Sequence, residues 1–363
     1  MLAYFPGGVL ADRLSGRTLM SFSLLATALG GIYFACLPSV LGLKLLFSYW
    51  GVTTIFLFWA SMLKVTREIG GESAQGKAFG ILDGGRGLVA AALATIAVYL
   101  LSQFFPDVNL ALSKEQREQA FLTVIYFYSV LTLIAALVIW WVLPTNNRSN
   151  HQPEHGRLSA KQITGTLTQS SIWYQAIIVL TAYCCYKGLD FYGLYSTTAL
   201  GFNELKSSQL MAYAAFLRPI SALAAGILAD RYSGGKIVVF SFLGAATTYL
   251  IFAISGSDML SHLFMVNVLV SFVFVFAIRA VYFALLAESN VDAHVTGTSI
   301  GFISLVGFTP DIFFAPITGR ILDATPGLEG FQHLFTLLVV IALIGAVAAL
   351  ALIFNLRNKK QNT

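Results

Sequence analysis

The sequence is short of charge. Asp, Glu, Lys and Arg make up 11% of its 363 residues, where a soluble domain carries roughly 25%. So few charges cannot cover a water-facing surface, and lipid is expected around much of the outside. Cysteine is scarce as well. Cys36, Cys184 and Cys185 all lie in apolar stretches, with no CxxC spacing and no histidine at ligand spacing. That excludes a disulfide framework and a zinc site and leaves buried free thiols. The five histidines are scattered, with His151 and His155 in a polar loop, so no metal is expected. There is no GxxxxGK[ST] run. Gly84-Gly85-Arg86-Gly87 lies inside an apolar run rather than between a strand and a helix, so it is no phosphate loop. No catalytic constellation appears either. The chain is therefore not expected to be an enzyme, to hold a cofactor or to run on ATP.

What the sequence has is apolar length. Residues of the hydrophobic class make up 57%, with 29 Phe and 15 Tyr. A membrane-spanning helix needs ~20 mostly apolar residues. Ten such runs can be read, at about 18–37, 42–63, 78–104, 119–143, 171–195, 208–229, 236–256, 262–286, 297–319 and 331–356, with 1–10 as the tail of another. The expected fold class is an all-α membrane protein, a polytopic helical bundle. The net charge of +5 would hint at nucleic acid in a soluble chain. Here the cations sit between apolar runs and report orientation instead. Alternate loops carry Arg13, Arg17, Lys64, Arg67, Lys77, Arg148, Arg157, Lys161, Arg231, Lys236, Arg357, Lys359 and Lys360. The opposite loops hold Lys114, Arg117, Lys206 and Arg320, with Lys44 at a helix edge. By the positive-inside bias the first set faces the cytoplasm. The expected layout is a transmembrane bundle over 1–143, a cytoplasmic linker over 144–170, a second bundle over 171–356 and a cytoplasmic tail over 357–363, in the inner (plasma) membrane.

The two bundles echo each other. Gly8-Val9-Leu10-Ala11-Asp12-Arg13-Leu14-Ser15-Gly16 and Gly226-Ile227-Leu228-Ala229-Asp230-Arg231-Tyr232-Ser233-Gly234 share seven of nine residues. A weaker echo pairs Gly76-Lys77-Ala78-Phe79-Gly80 with Gly297-Thr298-Ser299-Ile300-Gly301. Parallel repeats of this kind are a recognised build for transporters, with the substrate site between the halves near the midplane. The same comparison leaves the first half short by roughly 47 residues, one full helix and half of the next, ahead of Met1.

Ionisable residues at membrane depth usually mark a site. They are Asp83, Arg86, Lys187, Asp190, Arg218, Arg279 and Asp311. Asp83 and Arg86 stand three apart on one helical face and can neutralise each other, as can Lys187 and Asp190. Arg218 and Arg279 have no local acidic partner. A guanidinium keeps its proton at any depth and offers planar paired donors, so an anionic substrate is one reading and a cross-helix pair with Asp311 or Asp190 is the other. Asp311 either carries a proton or partners Arg218. Tyr183, Tyr186, Tyr192 and Tyr195 give one helix a hydroxyl-bearing aromatic character, with packing as the default and substrate stacking as the alternative. Trp140 and Trp141 read as interface anchors.

Residues 7–17, GGVLADRLSGR, resemble the signature of the major facilitator superfamily, the G-x-L-A-D-R-x-G-R-R loop between its second and third helices. Residues 226–236, GILADRYSGGK, resemble the weaker copy between helices eight and nine. Both copies carry two residues, Leu14-Ser15 and Tyr232-Ser233, where the common pattern has one. Some bacterial anion-type members, of the sugar-phosphate or nitrate-like kind, share that spacing. The resemblance implies two six-helix halves, here without the first helix, working as a monomer by alternating access. It implies a secondary transporter, symporter or antiporter, of a small anionic solute, driven by a coupling proton or a counter-substrate. It implies a gating motif of Gly8, Asp12, Arg13, Arg17, Gly226, Asp230 and Arg231. In this reading the two glycines permit close helix approach, and Asp12 faces the positive end of a helix dipole across the interface. It also places Arg218 and Arg279 on helices near the central cavity, with Lys187, Arg86, Tyr183 and Tyr186 as further substrate contacts. A transporter-like sensor that binds without moving its ligand is the alternative.

Overall fold

In hydrocarbon no water is available to satisfy backbone N–H and C=O groups, so a spanning chain must satisfy them within itself. The computed structural model does so with helices alone. It describes residues 2–71, 73–102, 114–144, 164–165, 167–198, 201–202, 204–256, 261–289, 291 and 295–361, and no strand occurs among them. Nine helical stretches among the described residues have the length and apolar character to cross a membrane. The run expected at 171–195 is divided in two by a 3-10 turn at Leu189–Phe191.

The first group of helices is α1 (Tyr4–Arg13), α2 (Gly16–Ala35), α3 (Val40–Gly51), α4 (Ala60–Gly70), α5 (Gln75–Ser102) and α6 (Lys114–Val142). Ser15 and Ser39 cap α2 and α3 by accepting from the amides of Thr18 and Gly42. Such caps satisfy donors that the first turn of a helix leaves open. Between α3 and α4 the chain winds as a π-helix, Val52–Trp59. Ser23 donates to the Thr53 carbonyl at 2.6 Å, and the Thr27 hydroxyl donates to that of Thr53 at 2.8 Å. These contacts bind the wider turn to α2.

The second group is α7 (Ser170–Gly188), α8 (Tyr192–Thr198), α9 (Glu204–Ala215), α10 (Leu217–Tyr232), α11 (Gly234–Ile254), α12 (Ser261–Val281), α13 (Leu285–Glu288), α14 (Thr296–Gly307), α15 (Pro310–Ala324) and α16 (Leu328–Gln361). Its core is aromatic, with Tyr192, Tyr195, Tyr249, Phe252, Phe264 and Phe335 fully buried. Leu41, Leu45, Trp141, Ile220, Phe240 and Val347 point outward on the lipid face. Most of the segment expected as a linker, 145–163, lies outside the described residues. Residues 357–361, expected as tail, continue α16 as helix.

The groups meet along two seams, α1 against α14 and α5 against α10. Both are glycine seams. A Cβ on Gly8 would run into the carbonyl of Gly297 and lie 3.0 Å from the Gly301 Cα. A Cβ on Gly226 would run into the carbonyl of Gly76 and lie 3.3 Å from the Gly80 Cα. Small residues at one-turn spacing let helix backbones touch in this way. Gly226→Leu is therefore expected to force the α5–α10 seam apart. Overpacking costs typically about 1–3 kcal/mol, and a collision with backbone falls at the upper end. The expected result is a lower melting temperature. A variant that melts like the parent rules out this close approach.

Candidate functional site

Arg218 opens α10 and lies flat against α5, because Gly87 leaves room for it; a Cβ there would sit 2.8 Å from the Arg218 Cδ. From that position it reaches Asp83 with two prongs, Nη2 to Oδ1 at 2.7 Å and Nε to Oδ2 at 3.2 Å. This corrects two expectations. Asp83 neutralises Arg218 across the seam rather than Arg86 on its own helix, and Arg218 pairs with neither Asp311 nor Asp190. Lys187 likewise passes over Asp190 and bridges to Asp311 at 3.1 Å. Asp311 also accepts from the Tyr183 hydroxyl at 2.9 Å. It is therefore not the partner of Arg218.

Of the arginines in the central cluster, two have no carboxylate within salt-bridge distance among the described residues. Arg86 faces the Trp59 ring at 5.4 Å. Arg279 lies over the Tyr186 ring at 3.8 Å. The Nε and Nη1 of Arg279 are buried and have no hydrogen-bond partner, a costly arrangement for a charged donor. Arg86 lies within electrostatic reach of Asp83, Arg218 and Arg279, and Arg279 within reach of Asp83. The centre thus sets Arg86, Lys187, Arg218 and Arg279 against Asp83 and Asp311. Adding the exposed Asp190, which feels Lys187, still leaves it positive.

A cavity of about 630 Å³ opens beside this cluster, with Arg218, Tyr186 and Asp190 in its wall. Its other lining residues include Gly87, Ala91 and Thr95 of α5 and Met211 and Phe216 around α9 and α10. All of these lie on the far side of Arg86 and Arg218 from the signature loops. The tyrosines divide by face. Tyr183 and Tyr186 reach the central cluster, whereas Tyr192 and Tyr195 pack against Phe252 and Phe335 in the core.

At the other end of both seams a carboxylate meets a helix start. Asp12 accepts from the amides of Gly297 and Thr298 at 2.6 and 2.7 Å and from the Thr298 hydroxyl at 2.7 Å. Asp230 accepts from the amides of Gly76 and Lys77 at 2.6 and 2.9 Å. Gly297 and Thr298 begin α14, and Gly76 and Lys77 begin α5. Each aspartate therefore satisfies first-turn amides and complements the helix dipole. The weaker sequence echo is the receiving half of these two contacts. Of the motif arginines, Arg13 and Arg231 are exposed, and Arg17 lies over the Trp140 ring at 4.4 Å. Asp12→Asn removes the charged acceptor from three donors. Hydrogen bonds to charged groups are worth about 1.5–3 kcal/mol each, so exchange of the Gly297 and Thr298 amides with deuterium should speed at least tenfold. Unchanged exchange would mean that Asp12 does not protect these amides.

Sequence reasoning missed several residues here. Lys64 and Arg67 counted only as orientation charges. Lys64 donates to the Ala11 carbonyl at 2.9 Å and stands 3.9 Å from Asp12. Arg67 donates to the Val291 carbonyl at 2.8 Å and bonds the Thr296 hydroxyl. Their three-residue spacing on one helix face was the available signal. Trp59, at the end of the π-helix, donates to the Ser304 hydroxyl at 3.0 Å and packs on Tyr4, Phe283 and Phe308. It lies between the groups as a floor to the cluster. No pattern in VTTIFLFW marked it, although π-turns are frequent at functional sites.

The chain resembles known proteins at three levels. Two inner membrane proteins of Escherichia coli (strain K12) are each 27% identical to it: YqcE over 96% of this chain and 81% of its own length, and YihN over 99% and 85%. The crystal structure of FucP, a major facilitator transporter, in the outward conformation superposes with a TM-score of 0.76 at 15% identity. That match covers 96% of this chain and 86% of FucP. The proton:xylose symporter XylE superposes at 0.68 with 11% identity, over 96% of this chain and 83% of XylE. The family model for the Major Facilitator Superfamily matches residues 1–312. A helical membrane bundle with doubled signature loops, glycine seams and a central charged cavity thus has its place: the chain belongs to the major facilitator superfamily of membrane transporters.

Proposed function

We propose that this transporter moves a small anion by alternating access. The observation that carries the reading is Arg279, a guanidinium at the centre of the bundle whose Nε and Nη1 are buried without a partner. Together with Arg86 it leaves the central cluster with more cations than carboxylates. Fixed cations at membrane depth are costly, and an incoming anion with planar oxygens satisfies them. The fucose:proton and proton:xylose symporters among the structural neighbours make a neutral sugar the competing cargo, and the positive balance of the centre disfavours it.

In this reading the signature loops lie in the cytoplasm with the C-terminus. Gly8, Asp12, Gly226 and Asp230 hold that side closed, and Arg13, Arg17 and Arg231 assist at the rim. The cavity beyond Arg218 is then the outward-facing vestibule. Asp311 is held between Lys187 and Tyr183 at the edge of the cluster. Asp83 and Asp190 set the charge balance around it. Counterflow in proteoliposomes tests the proposal. Vesicles preloaded with an unlabelled organic anion are expected to accumulate the labelled anion and not labelled fucose or xylose. Sugar accumulation with no anion flux overturns the anion reading. Saturable anion binding with no flux points to a sensor instead.

A further inference from the structure

The cavity is polar at its ends and apolar between them. At its inner end stand Arg218 and Tyr186, with Arg279 stacked behind the Tyr186 ring at 3.8 Å. At its outer end stand Thr95 and Asp190. The wall between is built from Leu88, Ala91, Met211, Phe216, Phe272 and Phe276. Along α5 the distance from Gly87, beside Arg218, to Thr95 is eight residues, about 12 Å at the rise of an α-helix. The volume is about 630 Å³, within the range of sites that enclose whole organic ligands.

We infer that the cargo is a monovalent organic acid with an uncharged apolar body. Its carboxylate or sulfonate sits at the Arg218 and Arg279 end, and its body lies along the Leu88–Phe276 wall. The inference rests on the anion reading and narrows it. A bare oxyanion such as phosphate or nitrate uses only the inner end, and the apolar wall offers its hydration shell nothing. An apolar body of about 8–10 Å removes that wall from water and gains from the burial. A second negative charge at the far end of the ligand meets Asp190. Dicarboxylates and sugar phosphates are therefore disfavoured. Tyr186 joins the two parts: it lines the cavity, and its ring stacks on Arg279 at 3.8 Å.

The test uses the full chain purified in detergent. Its thermal stability is titrated with 4-phenylbutyrate, the neutral 4-phenylbutanol, the dianion terephthalate, and inorganic phosphate and nitrate. The expected result is a saturable upward shift with 4-phenylbutyrate at concentrations at least tenfold lower than for the other four probes. Ala91→Phe, which fills the middle of the cavity, should weaken the 4-phenylbutyrate response at least tenfold. Met211→Ser only shortens and polarises the wall, and should weaken it several-fold without harm to folding. Arg279→Ala should remove it. Phosphate or nitrate acting as well as 4-phenylbutyrate, with neither wall variant changing the response, overturns the apolar body and leaves the anion reading standing. A response to 4-phenylbutanol equal to that of 4-phenylbutyrate and untouched by Arg279→Ala overturns both. Silence from every probe overturns the inference.

Discussion

Arg279→Ala is expected to abolish uptake while leaving a stable, correctly inserted protein. Two buried N–H groups of this side chain lack partners, and in the proposal they meet the anion. Two charge-assisted hydrogen bonds are worth about 1.5–3 kcal/mol each, so their loss reduces transport by roughly 10²-fold or more. Stability responds in the opposite sense from a broken ion pair. Among the described residues no carboxylate lies within salt-bridge distance of Arg279, so its removal breaks no ion pair and relieves a desolvation cost. Melting temperature should hold or rise slightly. Arg279→Lys keeps the charge and loses the planar fork, so uptake should be intermediate, about tenfold below the parent. The measurement is initial-rate uptake in proteoliposomes at matched protein content, beside a melting curve. Uptake within about threefold of the parent in Arg279→Ala would remove the central cation from the transport site.

Much of this architecture was legible in the residues, and what was not had a physical cause. The apolar runs are fixed by hydrocarbon thickness, so spans can be counted without any tertiary information. The signature loops could be read because a glycine seam and a helix-end aspartate need particular residues in order. The split among the tyrosines was not legible: the 3-10 turn at Leu189–Phe191 resets the helical phase between Tyr186 and Tyr192, and no run of residues announced it. Charge pairing was not legible. The i, i+3 spacing of Asp83 and Arg86 favours a local pair, but Gly87 lets Arg218 from another helix come closer. Nothing in the local spacing shows which helix lies across that gap. Lys187 bypasses Asp190 for the same reason. The π-turn that carries Trp59 into the centre depends on ties to α2, at Ser23 and Thr27, which only the packed bundle provides.

Asp83→Asn should be the most destabilising single change in the central cluster. The carboxylate and the Arg218 guanidinium are mostly buried, with side-chain exposures of 9% and 18%, and they join the two groups of helices across the α5–α10 seam. Removing one member of a buried pair costs about 3–5 kcal/mol, because the remaining charge stays desolvated and uncompensated. Here the stranded charge would be a third guanidinium beside Arg86 and Arg279, which adds repulsion to desolvation. Asp83→Asn/Arg218→Gln removes both charges and leaves two neutral groups able to hydrogen-bond, so most of the lost stability should return. Uptake should not return with it. Arg218 lines the cavity as well as binding Asp83, and the double variant lacks that cation at the inner end of the site. The cycle of two single variants and the double, read by melting temperature and by uptake in parallel, separates the two roles. Strong coupling in stability with uptake still at least tenfold down gives Arg218 both a seam and a substrate to hold. Recovery of both would make it a seam residue alone and leave Arg279 and Arg86 to meet the anion.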